Sequence, residues 1–152
     1  MEYIISKENL GYAKANNLGL KSVKTKFALV LNPDTILNAN ALEEFLKSAS
    51  NNPEFFLIGP WTNQSEFSNK EKKLTEVKNL KGFAIFFNMK KFEEKIFFDE
   101  NYFLYFEEID LCKRVKEKNG KIFIDKSIII KHLGGKSVIS NDEIELEKNR
   151  NW

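Results

Sequence analysis

A single cysteine, Cys112, in a chain of 152 residues excludes an internal disulfide and fits a reducing compartment. A single histidine, His132, excludes most catalytic triads and multi-histidine metal centres. Arginine is scarce too, Arg114 and Arg150 being the only two among 24 basic residues. Surfaces that read phosphates and bases favour the arginine fork, and with a net charge of +2 nothing argues for a nucleic-acid partner. No apolar run approaches the length of a membrane span and no signal peptide is visible, so the expected location is cytoplasmic. There is no Gly-x-Gly-x-x-Gly, and the run Gly134-Gly135-Lys136-Ser137 fails as a phosphate loop because Ile130 stands where the first glycine belongs. The length suits one domain with a real core and not two.

What the chain does have is an unusual stretch from Tyr102 to Arg114, in which Tyr102, Phe103, Tyr105 and Phe106 run into Glu107, Glu108 and Asp110. A helix-like pattern continues to Gly120, and carboxylates suit a helix start because free N–H groups and the dipole meet them there. At 100° per residue, Leu111, Cys112 and Val115 surround Glu108, which predicts that Glu108 points into the protein. Asp110, Arg114 and Glu117 then lie on the opposite side, with Asp110 and Arg114 spaced for an i,i+4 pair. A carboxylate aimed inward is costly unless it has a partner or a task. Desolvation would raise its pKa and the helix N-terminus would lower it, and sequence does not decide between them.

Upstream, Tyr3 to Ile5 reads as a short strand, and Asn9 as the cap of a helix through about Ser22 that carries Gly11 and Gly19. Glycine inside a helix costs about 1 kcal/mol relative to alanine, so two of them suggest close backbone approach. Phe27–Leu31 is apolar throughout, the mark of a central strand packed on both faces, and it ends in the turn-forming Asn32-Pro33-Asp34. Asn40 with Glu43 resembles a capping box for a helix whose stripe is Leu42, Phe45, Leu46 and Ala49. Phe55–Ile58, ended by Gly59-Pro60, then Leu74–Val77 and Phe83–Phe87 read as strands, Asn63–Lys73 as a loop, and Lys90–Lys95 as a helical turn. Lys121–Ile124 and Ile128–Ile130 read as two strands leading to His132, and Asn141–Trp152 as a charged helix.

Four of these stretches, in this order, resemble the motifs of family 2 glycosyltransferases of the GT-A fold, in particular a rhamnosyltransferase-like branch. They are Asn9-x-Gly11-Tyr12-Ala13-x-Ala15-x-Asn17-x-Gly19, the turn Asn32-Pro33-Asp34, the acidic run with Phe98-Asp99-Glu100 ahead of it, and His132-x-x-Gly135-x-Ser137. The resemblance implies a three-layer α/β sandwich with a mostly parallel mixed sheet, lacking the first strand–helix units. It implies one partial domain over 1–152: a donor and metal side at 1–80, an acceptor and catalytic side at 81–140, and the start of a C-terminal helix at 141–152. Read this way, the chain is expected to be shortened at both ends.

The implied roles follow the same motifs. Glu108 would be the base that deprotonates an acceptor hydroxyl, with Glu107 and Asp110 beside it. Asn9, Gly11, Asn17, Asn32 and Asp34 would face the donor, Asp34 and His132 would hold Mg²⁺ or Mn²⁺, and Gly82 and Tyr105 would lie on the acceptor side. The implied partners are a nucleotide-diphosphate sugar, with rhamnose as the expected sugar, and a glycan or lipid-linked acceptor of cell-surface polysaccharide biosynthesis. The lysines and phenylalanines of Lys81–Phe98 allow peripheral contact at the inner face of a membrane, and an uncovered apolar strand edge invites self-association. The rival expectation is a catalytically incompetent module that binds sugar, diphosphate or a partner chain; release of nucleoside diphosphate separates the two.

Overall fold

The computed structural model describes residues 3–61, 73–92 and 95–133. Two helices come early: α1 (Gly11–Ser22) and α2 (Ala41–Asn51), with β1 (Phe27–Leu31) and β2 (Thr35–Leu37) between them. β3 (Phe55–Trp61), β4 (Leu74–Glu76) and β5 (Ala84–Asn88) follow, then a single 3₁₀ turn at Met89–Lys91, helix α3 (Glu107–Glu117) and the long β6 (Lys121–His132). The six strands form one sheet in the order β1-β5-β3-β6-β2, with β4 also on β6. Only β3 and β6 run parallel; every other pairing is antiparallel. The expected mostly parallel sheet is thus corrected to a mostly antiparallel one.

Each face of the sheet buries its own apolar layer. One layer joins Ala13 and Leu20 of α1 and Leu111, Cys112 and Val115 of α3 to Leu57, Ile85, Phe87, Ile122 and Ile124. The other joins Ala41, Phe45 and Ala49 of α2 to Phe55, Ile58, Ala84, Phe86, Ile128 and Ile130. Along β5 the alternation is regular, and all five residues are buried. Along β6 it is not, since Ile124 and Ile128 have the same parity but face opposite layers. The cause is a kink at Asp125–Ser127, where the pairing with β3 jumps from Pro60↔Asp125 to Trp61↔Ile129. The Asp125 carboxylate accepts from Ser127 N at 2.8 Å and Ser127 Oγ at 2.6 Å and so holds the kink. The two expected strands are therefore one continuous strand with an irregularity, and β3 likewise runs through Gly59-Pro60 to Trp61.

Four further expectations are corrected. Tyr3, Ile4 and Ile5 form no strand and are 78%, 61% and 90% exposed. β1 is packed on both faces as expected, Val30 in one layer and Phe27 and Leu29 against the other, yet it has β5 on one side only and is a sheet edge among the described residues. In α2 the stripe is rotated: Ala41, Glu44, Phe45, Ser48 and Ala49 are buried, while Leu42 and Leu46 are exposed. Stacking of Phe45 on Phe86, with centroids 4.9 Å apart, fixes that rotation. It also turns Glu44 inward to Lys47 and Lys73, both at 3.0 Å, whose positive charges hold its carboxyl well below the usual range. Asn40 precedes α2 without a side-chain cap, and Glu43 reaches Lys47 instead of closing a capping box. Most of the Asn63–Lys73 loop, Gly135, Ser137 and the helix expected at Asn141–Trp152 lie outside the described residues.

The two helix glycines separate cleanly. Gly11 has φ +71°, and a Cβ there would stand 2.4 Å from the Phe103 carbonyl oxygen, whereas a Cβ on Gly19 would meet nothing within 4 Å. We predict that Gly19→Ala stabilises the chain by about 1 kcal/mol, the ordinary helix-interior gain. Gly11→Ala should destabilise it by more than about 2 kcal/mol, from left-handed strain plus the backbone clash. Urea denaturation of the two variants measures both.

Candidate active site

The acidic helix is oriented by the first helix of the chain. Asn9 Oδ1 accepts the Gly11 N–H at 3.0 Å and shapes the start of α1, although Leu10 occupies the cap position itself. With no side chain at Gly11 in the way, the Tyr12 N–H reaches the Phe103 carbonyl at 2.8 Å. One turn on, the buried Asn17 carboxamide donates to Phe98 O at 2.9 Å and accepts from Phe98 N at 3.0 Å, pairing with that residue as a strand would. It also donates to Glu100 at 3.0 Å. Gly11 and Asn17 are thereby committed to the segment that leads into α3. The Asn9–Gly19 motif works here as a cradle for residues 98–103.

Between that cradle and α3 the backbone is strained. Tyr105 and Phe106 both adopt left-handed conformations, at φ +68° and +71°. For residues with a Cβ this costs roughly 1–2 kcal/mol each, and it turns the chain so that α3 starts with two carboxylates facing inward. Glu107 is 3% exposed and Glu108 is half-buried. In each, Oε2 is out of solvent with no hydrogen-bond partner. Desolvation wins over the helix N-terminus for both: burial pushes Glu107 up to about 7, helped by the Glu108 charge, and burial raises Glu108 as well, against the pull of Lys81. The wheel predicted Glu108 as the buried acid; the structure turns both inward, Glu107 the more completely. Asp110 is elsewhere, bonded to Arg114 Nε at 2.7 Å, while the same guanidinium caps Phe97 O. Asp110 anchors the helix and does not join the glutamates.

Gly82 closes this corner. A Cβ placed on it would lie 3.7 Å from Glu108 Cδ and 3.7 Å from the Tyr12 hydroxyl, ordinary contact distances, so the glycine packs between them with room for about one methyl group. The Tyr12 hydroxyl donates to the Gly82 carbonyl, and its ring packs edge-on against Phe98 at 5.5 Å. Tyr105, half-buried, stands two residues before the acid pair.

The second group of residues forms where β1 turns into β2. The Thr35 hydroxyl closes the Asn32-Pro33-Asp34 turn on Asn32 O at 2.6 Å, and Asn32 N bonds Phe83 O at 2.9 Å. Antiparallel pairing of β2 with β6 sets His132 opposite Thr35, and Leu133 N bonds Asp34 O at 2.9 Å. His132 Nε2 comes within 3.2 Å of Asp34 Oδ1, an ion pair whenever the imidazole is protonated. Neither carboxylate oxygen of Asp34 has a hydrogen bond of good geometry, and both are shut off from solvent. The imidazole stacks on Phe83, rings 9° from parallel and 4.7 Å apart. Gly82 and Phe83 are thus consecutive, one touching the acid pair and the other the Asp34–His132 pair. Tyr12 and Phe83 had no role in the sequence reading. Tyr12 stood inside the first motif, but nothing in the sequence marked Phe83.

The model of glycosyl transferase family 2 matches residues 1–112. The chain belongs to that family. It is 26% identical over 146 residues to the low-salt glycan biosynthesis hexosyltransferase Agl10 of Haloferax volcanii, a match that covers 78% of this chain and 47% of the relative. The chain therefore spans about half the length of that curated relative. Among solved structures, GalNAc-T7 with UDP, GalNAc and Mn²⁺ superposes with a TM-score of 0.64 at 12% identity, over 79% of this chain and 30% of the other. That likeness shows the GT-A fold. No helix among the described residues is long and apolar enough to cross a membrane.

The residues that could hold a divalent cation are Asp34 and His132. A buried carboxylate with two unsatisfied oxygens beside an imidazole suits Mn²⁺ or Mg²⁺ in charge and ligand type. No cluster of three or more His, Cys, Asp or Glu exists among the described residues, so further ligands would be diphosphate and water oxygens.

The acid pair has a stability consequence. Glu107 binds its proton more tightly folded than unfolded, so its contribution is full below the unfolded value of 4.5 and is lost as pH rises through about 7. We predict that Glu107→Gln flattens the fall in stability across that window and stabilises the chain above it by up to about 3 kcal/mol. Thermal midpoints of both proteins across the pH range check this, and parallel curves would contradict it.

Proposed function

We propose that the chain is an inverting hexosyltransferase in which Glu108 is the base and Asp34 with His132 holds the divalent cation. The observation that carries this reading is Glu108, one oxygen out of solvent and unpartnered, beside Gly82, one residue from the Phe83 that stacks on His132. Of the two acids, Glu108 is the one an acceptor can reach, because it is partly exposed while Glu107 is covered. A base must stand within hydrogen-bond reach of its proton and have a pKa near the working pH. Burial raises the Glu108 carboxyl, the direction the second condition asks for.

In this reading an acceptor hydroxyl gives its proton to Glu108 and its oxygen bonds to the anomeric carbon of a nucleotide-diphosphate sugar. The bond from that carbon to the diphosphate breaks and the nucleoside diphosphate leaves with the electron pair. A cation at Asp34 and His132, when bound, neutralises the diphosphate charge. The hydroxyl arrives on the face opposite the leaving group, so the configuration inverts. The proposed acceptor is a glycan or lipid-linked saccharide, and the donor to test first is deoxythymidine-diphosphate-rhamnose, against uridine-diphosphate hexoses.

Two variants test the assignment. Glu108→Gln should keep donor binding and lower turnover by roughly 10²–10⁴, the usual worth of a general base; loss confined to Glu107→Gln would move the role by one residue. Asp34→Asn should abolish Mn²⁺-dependent binding of a nucleoside diphosphate in calorimetry, and unchanged metal-dependent affinity would remove Asp34 from the site.

A further inference from the structure

Asp34 and His132 reach Phe83 by separate routes. On β6 the inward row runs Ile128, Ile130 and then His132, since alternate residues of a strand share a face. The imidazole at the end of that row stacks on the Phe83 ring, 9° from parallel with centroids 4.7 Å apart. From the other side, Asn32 N donates to the Phe83 carbonyl at 2.9 Å and so fixes the turn that carries Asp34. Phe83 itself is 7% exposed and packs in the layer of Ala84, Phe86 and Ile130. The imidazole is the looser partner. Its side chain is 34% exposed, and its 3.2 Å approach to Asp34 Oδ1 is not a hydrogen bond of good geometry. Asp34 therefore does not orient His132; the face-to-face stack does.

We propose that Phe83 is a positioning residue of the cation site: its ring fixes the plane of the His132 imidazole and its carbonyl fixes the Asn32–Asp34 turn, so that Nε2 and Oδ1 are held as neighbouring ligands. The inference rests on the reading of Asp34 with His132 as the pair that holds the divalent cation. Their 3.2 Å separation is close to the roughly 3 Å between adjacent ligand atoms of an octahedral ion with bonds of about 2.1 Å. An imidazole free to change rotamer at the end of a strand would lose that spacing. Metal-ligating histidines are ordinarily oriented by a hydrogen bond on the second ring nitrogen. Among the described residues His132 has no such bond, and the stack on Phe83 takes that part. One residue thus serves both ligands, through its ring on one and its backbone on the other. It acts through them and needs no contact with the cation or the sugar.

The test reads His132 directly, because it is the only histidine of the chain and its imidazole NMR signals assign themselves in the untagged protein. In the unmodified protein those proton signals should lie upfield of an ordinary histidine, under the Phe83 ring current, and Mn²⁺ should broaden them. Phe83→Leu should return them to ordinary positions. It should also weaken Mn²⁺ binding by roughly 10–100-fold, the usual cost of removing a group that orients a metal-ligating histidine. Calorimetry measures that affinity for Mn²⁺ alone and with deoxythymidine diphosphate or uridine diphosphate present. Phe83→Tyr keeps the flat ring and should restore both readouts. A role in packing alone would lower the thermal midpoint of Phe83→Leu and leave Mn²⁺ affinity in place, which overturns the inference. Imidazole signals at ordinary positions in the unmodified protein overturn it too, even where Phe83→Leu fails to fold. If Asp34→Asn keeps full Mn²⁺ affinity, the cation reading falls and takes the inference with it. If Asp34→Asn abolishes binding and Phe83→Leu leaves it unchanged, the inference falls alone.

Discussion

Two inward-turned carboxylates at the N-terminus of one helix, each with one oxygen out of water, set the terms for the rest of this molecule. Ionised groups in such a place cost several kcal/mol unless something compensates them, and here each keeps one oxygen without a partner. The surroundings over-determine the arrangement. Tyr105 and Phe106 hold left-handed backbone just ahead of α3, Arg114 ties the helix through Asp110 to the Phe97 carbonyl, and α1 grips residues 98–103 through Gly11, Tyr12 and Asn17. Strain of this kind persists only where neighbours leave the chain no alternative. The cradle on α1 is that neighbour.

Much of this was legible in the sequence, and the reasons are specific. Phe27–Leu31 came out as a strand to the residue because five consecutive apolar residues after a lysine-rich turn admit little else. The acidic helix was legible for the same kind of reason, an i,i+4 pattern with carboxylates at the dipole end that favours them. Its rotation was not. Whether Glu107 or Glu108 turns further inward depends on two residues with positive φ, and neither is a glycine that would announce it. In α2 the same failure exposed Leu42 and Leu46, since stacking of Phe45 on Phe86 outweighs the largest hydrophobic stripe on the wheel.

Sheet order was beyond the pattern altogether. Apolarity at every position says that both faces of β1 are covered, and says nothing about how many strands flank it. The break at Asp125–Ser127 was readable as a gap between two strands, but one carboxylate holding a serine N–H and hydroxyl lets the strand continue across it. The cradle built by the motif from Asn9 to Gly19 was not legible. Its partners, Phe98 and Phe103, lie more than eighty residues away, and only the folded chain brings them against Gly11 and Asn17.

The placement of Gly82 and Phe83 sets two chemically different groups against neighbouring residues of the chain. β5 is buried at all five positions, and its start pairs with β1, Ala84 opposite Leu31. The step just before it carries a residue with no side chain toward the acids and an aromatic ring toward His132. Exchanging the two would set a ring into the space beside Glu108 and leave the imidazole unsupported. The glycine gives access and the phenylalanine gives support. Because they are adjacent in the chain, a shift that opens one must disturb the other, which ties the acid pair to the Asp34–His132 pair through a single peptide unit.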